Sequence, residues 1–274
     1  MTDRHPLGPR PELAAAFEHV GVADAYRFRP PYPTEVFDVL EDLLQEPANV
    51  LDIGAGEGAL ARPLIVRGRV TRLDAVDSSA AMIEAGRLRP GGGHPGLRWI
   101  LGAVDQVALE GPYCLVTAGA SLLWMPWRRT IGTLARVLGE QGVVAVIEHG
   151  YHRVPWREAL NRLLAGHARR PEFDPRFSVA DELVARGLFR KVGEHRTGPA
   201  SFHPLVTEYV EQFHSTATRA RELMSGEEAE EFDASVERIV QPYAARNEDG
   251  DMVLTVDVMA NVIWGQPIAR AVAC

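Results

Sequence analysis

The chain has 274 residues, with 29 Lys and Arg against 37 Asp and Glu and a formal net charge of −8. That length can bury a full hydrophobic core without disulfide or metal staples. The acidic balance argues against a dedicated nucleic-acid binder, which needs cationic side chains to displace counterions from phosphates. The two cysteines, Cys114 and Cys274, lie outside any CxxC pair, so neither a zinc knuckle nor a secreted disulfide framework is expected. No stretch approaches the ~18 apolar residues of a membrane span, and Met1 to Arg10 carry no apolar signal core. The expectation is a cytoplasmic monomer or homodimer with a small-molecule partner, no nucleic acid, no membrane and no metal.

The segment through Pro33 is rich in proline and arginine and reads as irregular or partly helical. Thr34 can cap a helix on which Val36, Phe37, Leu40, Leu43 and Leu44 recur at helical spacing. Asn49 to Ile53 is a short apolar run stopped by Gly54, the signature of a buried parallel strand followed by a tight turn. A helix is predicted over 57–68, with Pro63 as an interruption. Strands follow at 72–76, 97–101, 113–117 and 143–147. Helices are expected after Ser78, as cap, and over 128–138. This alternation predicts a doubly wound α/β fold. Beyond Gly150 come helices over 156–166 and 180–186 and a strand over 189–196. Leu205, Tyr209 and Phe213 recur every four residues through 204–224, and Ser225 with Glu228 forms a capping box for another helix. The β-branched run 252–264 closes the sheet. The organisation expected is an N-terminal strap over 1–33, a Rossmann-like core over 34–199, a helical insertion or lid over 200–246 and a closing strand within 247–274.

The strongest motif is Val50-Leu51-Asp52-Ile53-Gly54-Ala55-Gly56-Glu57-Gly58-Ala59. Glycine permits a sharp turn and close approach of a ligand to backbone, and the following helix points free N–H groups at it. Gly54, Gly56 and Ala59 also satisfy the relaxed dinucleotide pattern. Asp52 argues the other way: a carboxylate there repels a pyrophosphate and suits an ammonium group. Asp77, ending the next strand about 20 residues on, can accept hydrogen bonds from ribose hydroxyls. Asp105, after the third strand, can hold an exocyclic amine. Three acids on successive strand ends describe a nucleoside with a cationic tail and no phosphates.

On these residues the chain resembles the class I S-adenosylmethionine-dependent methyltransferases that act on small molecules. LDIGAGEG is similar to the family's cofactor turn, LDAVDSSAAMIEAG to its second strand, and YCLVTAGASLLWMPW and GVVAVIEH to its fourth and fifth strands. The resemblance implies S-adenosylmethionine as cofactor and a sheet of about seven strands, the last antiparallel. It places Tyr26, Arg29, Asp52, Gly54, Ala55, Gly56, Asp77, Ser78, Met82, Val104, Asp105 and Ala118 around the cofactor. Gly54 and Gly56 would lie against the methionyl part, Asp77 on the ribose, Met82 over the adenine, and Val104 with Asp105 at its edge. Tyr26 to Pro33 resembles a stretch that folds over the cofactor in related enzymes, with Arg29 suited to a bidentate grip on the methionine carboxylate. Three features depart from the family: Cys114 stands where an acid is common, Leu123 where relatives with a similar ending have histidine, and Pro63 interrupts the helix after the glycines.

His149, at the end of the fifth strand, is the candidate general base, because a histidine titrates near working pH. Tyr32, Trp124, Trp127, His203, Tyr209 and Phe213 are the substrate-binding candidates. The activity implied is methyl transfer to an oxygen, nitrogen or carbon nucleophile, with specialised metabolism as the expected setting. The alternatives are a nicotinamide-dependent oxidoreductase using the glycines for pyrophosphate, and a nucleoside-binding protein that does not methylate.

Overall fold

The computed structural model of the chain describes residues 15–166, 177–216 and 218–269. The readings for Met1 to Arg10 and Cys274 lie outside them. The order of elements is a 3-10 turn Ala15–Glu18, α1 Val20–Tyr26, α2 Thr34–Asp42, β1 Asn49–Ile53, α3 Ala61–Val66, β2 Arg72–Asp77, α4 Ala80–Arg87, β3 Leu97–Leu101 and β4 Tyr113–Gly119. Then follow α5 Trp127–Val137, β5 Leu138–His152, α6 Arg157–Gly166, α7 Val179–Ala185, β6 Phe189–Arg196, β7 Ala200–Phe202, α8 Val206–Glu211, α9 Gly226–Val240, β8 Ala245–Arg246, β9 Met252–Val253 and β10 Val256–Pro267.

The main sheet runs β3-β2-β1-β4-β5-β10-β6, with β7 also paired to β10. β1 through β5 are parallel, and β10 enters antiparallel to both β5 and β6. This is the doubly wound α/β sheet with an antiparallel last strand. Strand alternation sends Val50, Leu115, Ala145 and Ile147 to one face, where α2 and α3 supply Val36, Leu40, Leu64 and Ile65. Leu51, Val116, Ala118 and Val146 go to the other face, under Ile131 and Leu134 of α5 and Leu183 of α7. A third core joins Trp156, just before α6, and Leu160 of α6 to Tyr209 of α8, Phe232 and Val236 of α9, and Val256 of β10. So α6, which lies in the sequence segment 34–199, packs with the helices of 200–246.

Several boundaries differ from expectation for local reasons. Pro33, not Thr34, is the N-cap of α2, and it offers no side-chain bond. Ser79, not Ser78, caps α4 by accepting from the Met82 N–H at 3.2 Å. The helix expected over 57–68 begins only at Ala61, because Gly54, Gly56 and Gly58 all take positive φ and keep the chain in turns. Pro63 then falls in the first turn, where a missing N–H leaves no intrahelical bond unmade. The run 204–224 breaks into α8, a 3-10 turn Gln212–Ser215 and a second, Arg221–Leu223. Met252–Val253 pairs with Ala245–Arg246 as a separate hairpin, so the closing strand starts at Val256.

Candidate active site

The parallel strands β1, β2 and β4 end at one edge, where a cavity of about 150 Å³ opens. Its floor is the glycine turn. Gly54 adopts φ +59°, and a Cβ there would stand 2.5 Å from the Ser121 Cβ. Only glycine fits that crossing of two strand ends. Ser121 ties the two together by donating its hydroxyl to the Ile53 carbonyl at 2.6 Å.

Asp77, at the end of β2, faces the cavity. One carboxylate oxygen accepts from the Gly56 N–H at 2.7 Å and the other from the Ser79 N–H at 2.8 Å. A carboxylate can accept about four hydrogen bonds, so acceptor capacity remains for a ligand. Burial raises its pKa, against these backbone bonds, which lower it. The far wall holds Val104 and Asp105, and Asp105 is ion-paired to Arg129 at 2.6 Å. Met82 lines the side of the cavity and packs with Val22, Ala23, Phe17 and Tyr26 of the N-terminal segment. That segment is fastened by Ser79, whose hydroxyl donates to the Phe17 carbonyl at 2.6 Å. Arg29 also lines the cavity, with its guanidinium 4.1 Å above the Tyr26 ring.

Of the cofactor-binding candidates, Tyr26, Arg29, Gly54, Gly56, Asp77, Ser78, Met82, Val104 and Asp105 share this cavity. Asp52, Ala55 and Ala118 are buried outside its lining. Ala118 faces the core beneath α5, and its successors Gly119, Ala120 and Ser121 form the wall instead. Asp52 is 2% exposed, and its Oδ1 accepts from the Thr117 hydroxyl at 2.7 Å. Its Oδ2 has no hydrogen-bond partner among the described residues, and burial pushes the carboxyl up to about 7.

His149 does not face the cavity as a free base. Its Nε2 lies 3.1 Å from the Pro30 carbonyl, its ring stacks on Tyr32 at 4.1 Å, and burial lowers its pKa to about 4. A carbonyl only accepts, so Nε2 carries the proton and Nδ1 keeps a bare, buried lone pair. Among the substrate candidates Trp124 lines the cavity, edge-on to Phe17 at 5.3 Å. Tyr32 is packed against Gly119 on the inner side of the strap, and burial holds its phenol well above the usual range. Trp127 is buried, with its N–H on the Leu122 carbonyl at 2.7 Å. Tyr209 and Phe213 belong to the core of the helical unit, where Tyr209 accepts from the Trp156 N–H at 2.8 Å. His203 lies outside the cavity, 3.3 Å from the Thr255 hydroxyl.

Sequence reasoning missed Phe17, Gly119, Ala120, Ser121, Met125 and Pro126. Gly119, Ala120 and Ser121 follow directly from β4 as neighbour of β1, since whatever ends β4 must border the glycine turn, and Met125 and Pro126 lie in the segment just beyond. Ala120 takes φ +52°, an uncommon conformation for a residue with a Cβ, and such strain concentrates at functional sites. Phe17 had no signal, since its place depends on the distant Ser79.

Residues 50–142 match the family described as methyltransferase domain. In sequence the chain is 28% identical over 174 residues to the malonyl-[acyl-carrier protein] O-methyltransferase of Geobacter sulfurreducens, covering 60% of this chain and 64% of that protein. It is 34% identical over 104 residues to the trans-aconitate 2-methyltransferase of an Enterobacter species, covering 38% and 40%. The chain thus spans less than two thirds of the length of these relatives. In structure it resembles a proposed type II methyltransferase from Anaeromyxobacter dehalogenans, with TM-score 0.61, 20% identity, and 87% and 97% of the two chains covered. A second likeness, with TM-score 0.51 and 18% identity, is to a SAM-dependent methyltransferase from Geobacter sulfurreducens in complex with S-adenosyl-L-homocysteine, covering 94% and 99%. These likenesses are of fold. The methyltransferase-domain match falls on the segment that carries the glycine turn, Asp77 and the end of β4, and the structural likenesses extend the same Rossmann-like fold over most of the chain.

Proposed function

We propose that the chain binds S-adenosylmethionine in this cavity and methylates a small molecule at an oxygen, nitrogen or carbon nucleophile. The observation that carries the reading is the charge content of the lining: Asp77, at the end of β2, and Asp105, in the loop after β3, share the cavity with Arg29. Two carboxylates repel a pyrophosphate but suit a nucleoside, and the single guanidinium suits a carboxylate at the other end. The fit extends below the lining, where the unpartnered buried Oδ2 of Asp52 favours a nearby positive charge. The same features weigh against a nicotinamide dinucleotide at the glycine turn.

In this reading Asp77 takes the ribose hydroxyls, Met82 covers the base, Asp105 and Val104 frame its edge, and Arg29 grips the amino-acid carboxylate. Bound there, the cofactor supplies a methyl group on a sulfonium, and its transfer leaves a neutral thioether. The chain's contribution is to hold acceptor and methyl in line and exclude water, which can lower a barrier by ~7–11 kcal/mol. Neither lining carboxylate is a free base, since Asp77 is held by two backbone N–H groups and Asp105 by Arg129. An acceptor with a free electron pair at neutral pH, such as a carboxylate, therefore suits the site. Malonyl and trans-aconitate groups both carry carboxylates, so carboxylic acids head the acceptor panel. The test is transfer of a labelled methyl group from S-adenosylmethionine to that panel. Stoichiometric S-adenosylhomocysteine with a methylated product is expected; a panel with no labelled product despite cofactor binding would favour the non-methylating alternative.

A further inference from the structure

The cation lining the cavity is held by the helical unit. Arg29 donates Nε to the Ser215 hydroxyl at 2.8 Å and one terminal nitrogen to the Ser215 carbonyl at 2.9 Å. Ser215 is fully buried, and its hydroxyl donates in turn to the Gln212 carbonyl. Gln212, also buried, accepts on its side-chain oxygen from the Tyr151 hydroxyl at 2.8 Å and donates its amide to the Tyr209 carbonyl at 2.8 Å. Tyr151 stands two residues after His149 on β5, so both side chains leave the same face of the strand. His149 holds the carbonyl of Pro30, the residue next to Arg29. The contacts close a ring: Arg29 to Ser215, Gln212, Tyr151, along β5 to His149, and back through Pro30.

The platform for Arg29 is itself fixed. His214, buried beside Ser215, lies 2.7 Å from both the Asp233 carboxylate of α9 and the Arg219 carbonyl. The Tyr26 ring covers one face of the guanidinium. With its Nε and one terminal nitrogen engaged by Ser215, Arg29 retains its second terminal nitrogen and loses rotamer freedom before any ligand arrives. A long side chain fixed in advance gives up less entropy on binding.

The geometry points to Ser215 as a positioning residue, with Gln212 and Tyr151 behind it: together they aim Arg29 at the amino-acid carboxylate of the cofactor and couple the helical unit to cofactor capture. This rests on the reading of the cavity as an S-adenosylmethionine site. It assigns a role in cofactor binding to a segment that touches no cofactor itself.

Two ligands separate positioning from a structural role. S-adenosylhomocysteine carries the carboxylate, and 5′-methylthioadenosine keeps the nucleoside thioether without the amino-acid end. Ser215→Ala removes one of the two anchors of Arg29 and should weaken S-adenosylhomocysteine about fivefold, with methylthioadenosine affinity within about twofold of the wild type. Tyr151→Phe, which frees the Gln212 side chain, should act in the same direction by a smaller factor, and it carries the test if the serine variant does not fold. Equal weakening of both ligands would make the ring purely structural and overturn the inference. So would unchanged or tighter S-adenosylhomocysteine binding, the latter meaning that Ser215 competes for Arg29. Failure of the wild type to bind either ligand would instead remove the underlying reading of the cavity, and the inference with it.

Discussion

Thr117 donates its hydroxyl to Oδ1 of Asp52 at 2.7 Å across the β1–β4 register, and the other oxygen of that carboxylate is buried without a hydrogen-bond partner among the described residues. Half-satisfied and desolvated, the carboxyl titrates at about 7 in the folded chain, against ~3.9 in an unfolded one.

Between those values the folded chain binds more protons than the unfolded chain, so this group makes stability fall as pH rises from about 4 to about 7. The cumulative loss is about 4 kcal/mol, complete above the folded pKa. Asp52→Asn keeps an oxygen for Thr117 and removes the titration. Thermal unfolding of the ligand-free protein should show a flatter pH dependence for the variant across this window, and a higher melting temperature than wild type at pH 8. Parallel curves for the two proteins would mean that Asp52 is not held in its neutral form.

A second buried carboxylate is fully engaged by its neighbours. Asp74 is inaccessible to solvent, takes a two-pronged contact from Arg98 at 2.8 Å and accepts from the Tyr113 hydroxyl at 2.5 Å. Asp74→Ala leaves the Tyr113 hydroxyl buried without its partner and should cost about 3–5 kcal/mol in urea unfolding. Asp74 lies outside the cavity lining, so cofactor affinity per folded molecule should stay within about twofold of wild type. A much smaller stability loss would show that the cluster relaxes around the gap.

His149 separates a pin from a base. His149→Phe keeps an aromatic ring against Tyr32 and deletes the bond to the Pro30 carbonyl, with an expected loss of ~1–3 kcal/mol of stability. Turnover of saturated enzyme should fall less than tenfold, with an unchanged pH profile. A loss of ~10²–10⁴-fold with disappearance of the acidic limb would identify a general base after all.

The parts of the site legible in the sequence are those whose meaning is local. Gly54 and Gly56 after a buried strand, and Asp77 at the end of the next, announce themselves by position, because a parallel sheet presents its strand ends at one edge. His149 reads as the end of a strand in the sequence, but β5 runs on to His152, and alternation along a strand cannot say that the Pro30 carbonyl lies over it. Tyr209 and Phe213 show a buried helical face without showing which core receives it, and they pack against Trp156 and Phe232. Ser215 carried no signal, since its partner Arg29 is 186 residues away in the chain.

The most direct test of the nucleoside site is calorimetric titration of the protein with S-adenosylhomocysteine and S-adenosylmethionine, beside NADH and the Asp77→Ala variant. Saturable micromolar binding of the two adenosyl ligands, weakened at least about tenfold by Asp77→Ala, with NADH inert, is the predicted result. A folded protein that binds neither adenosyl ligand, or binds NADH in their place, would contradict it.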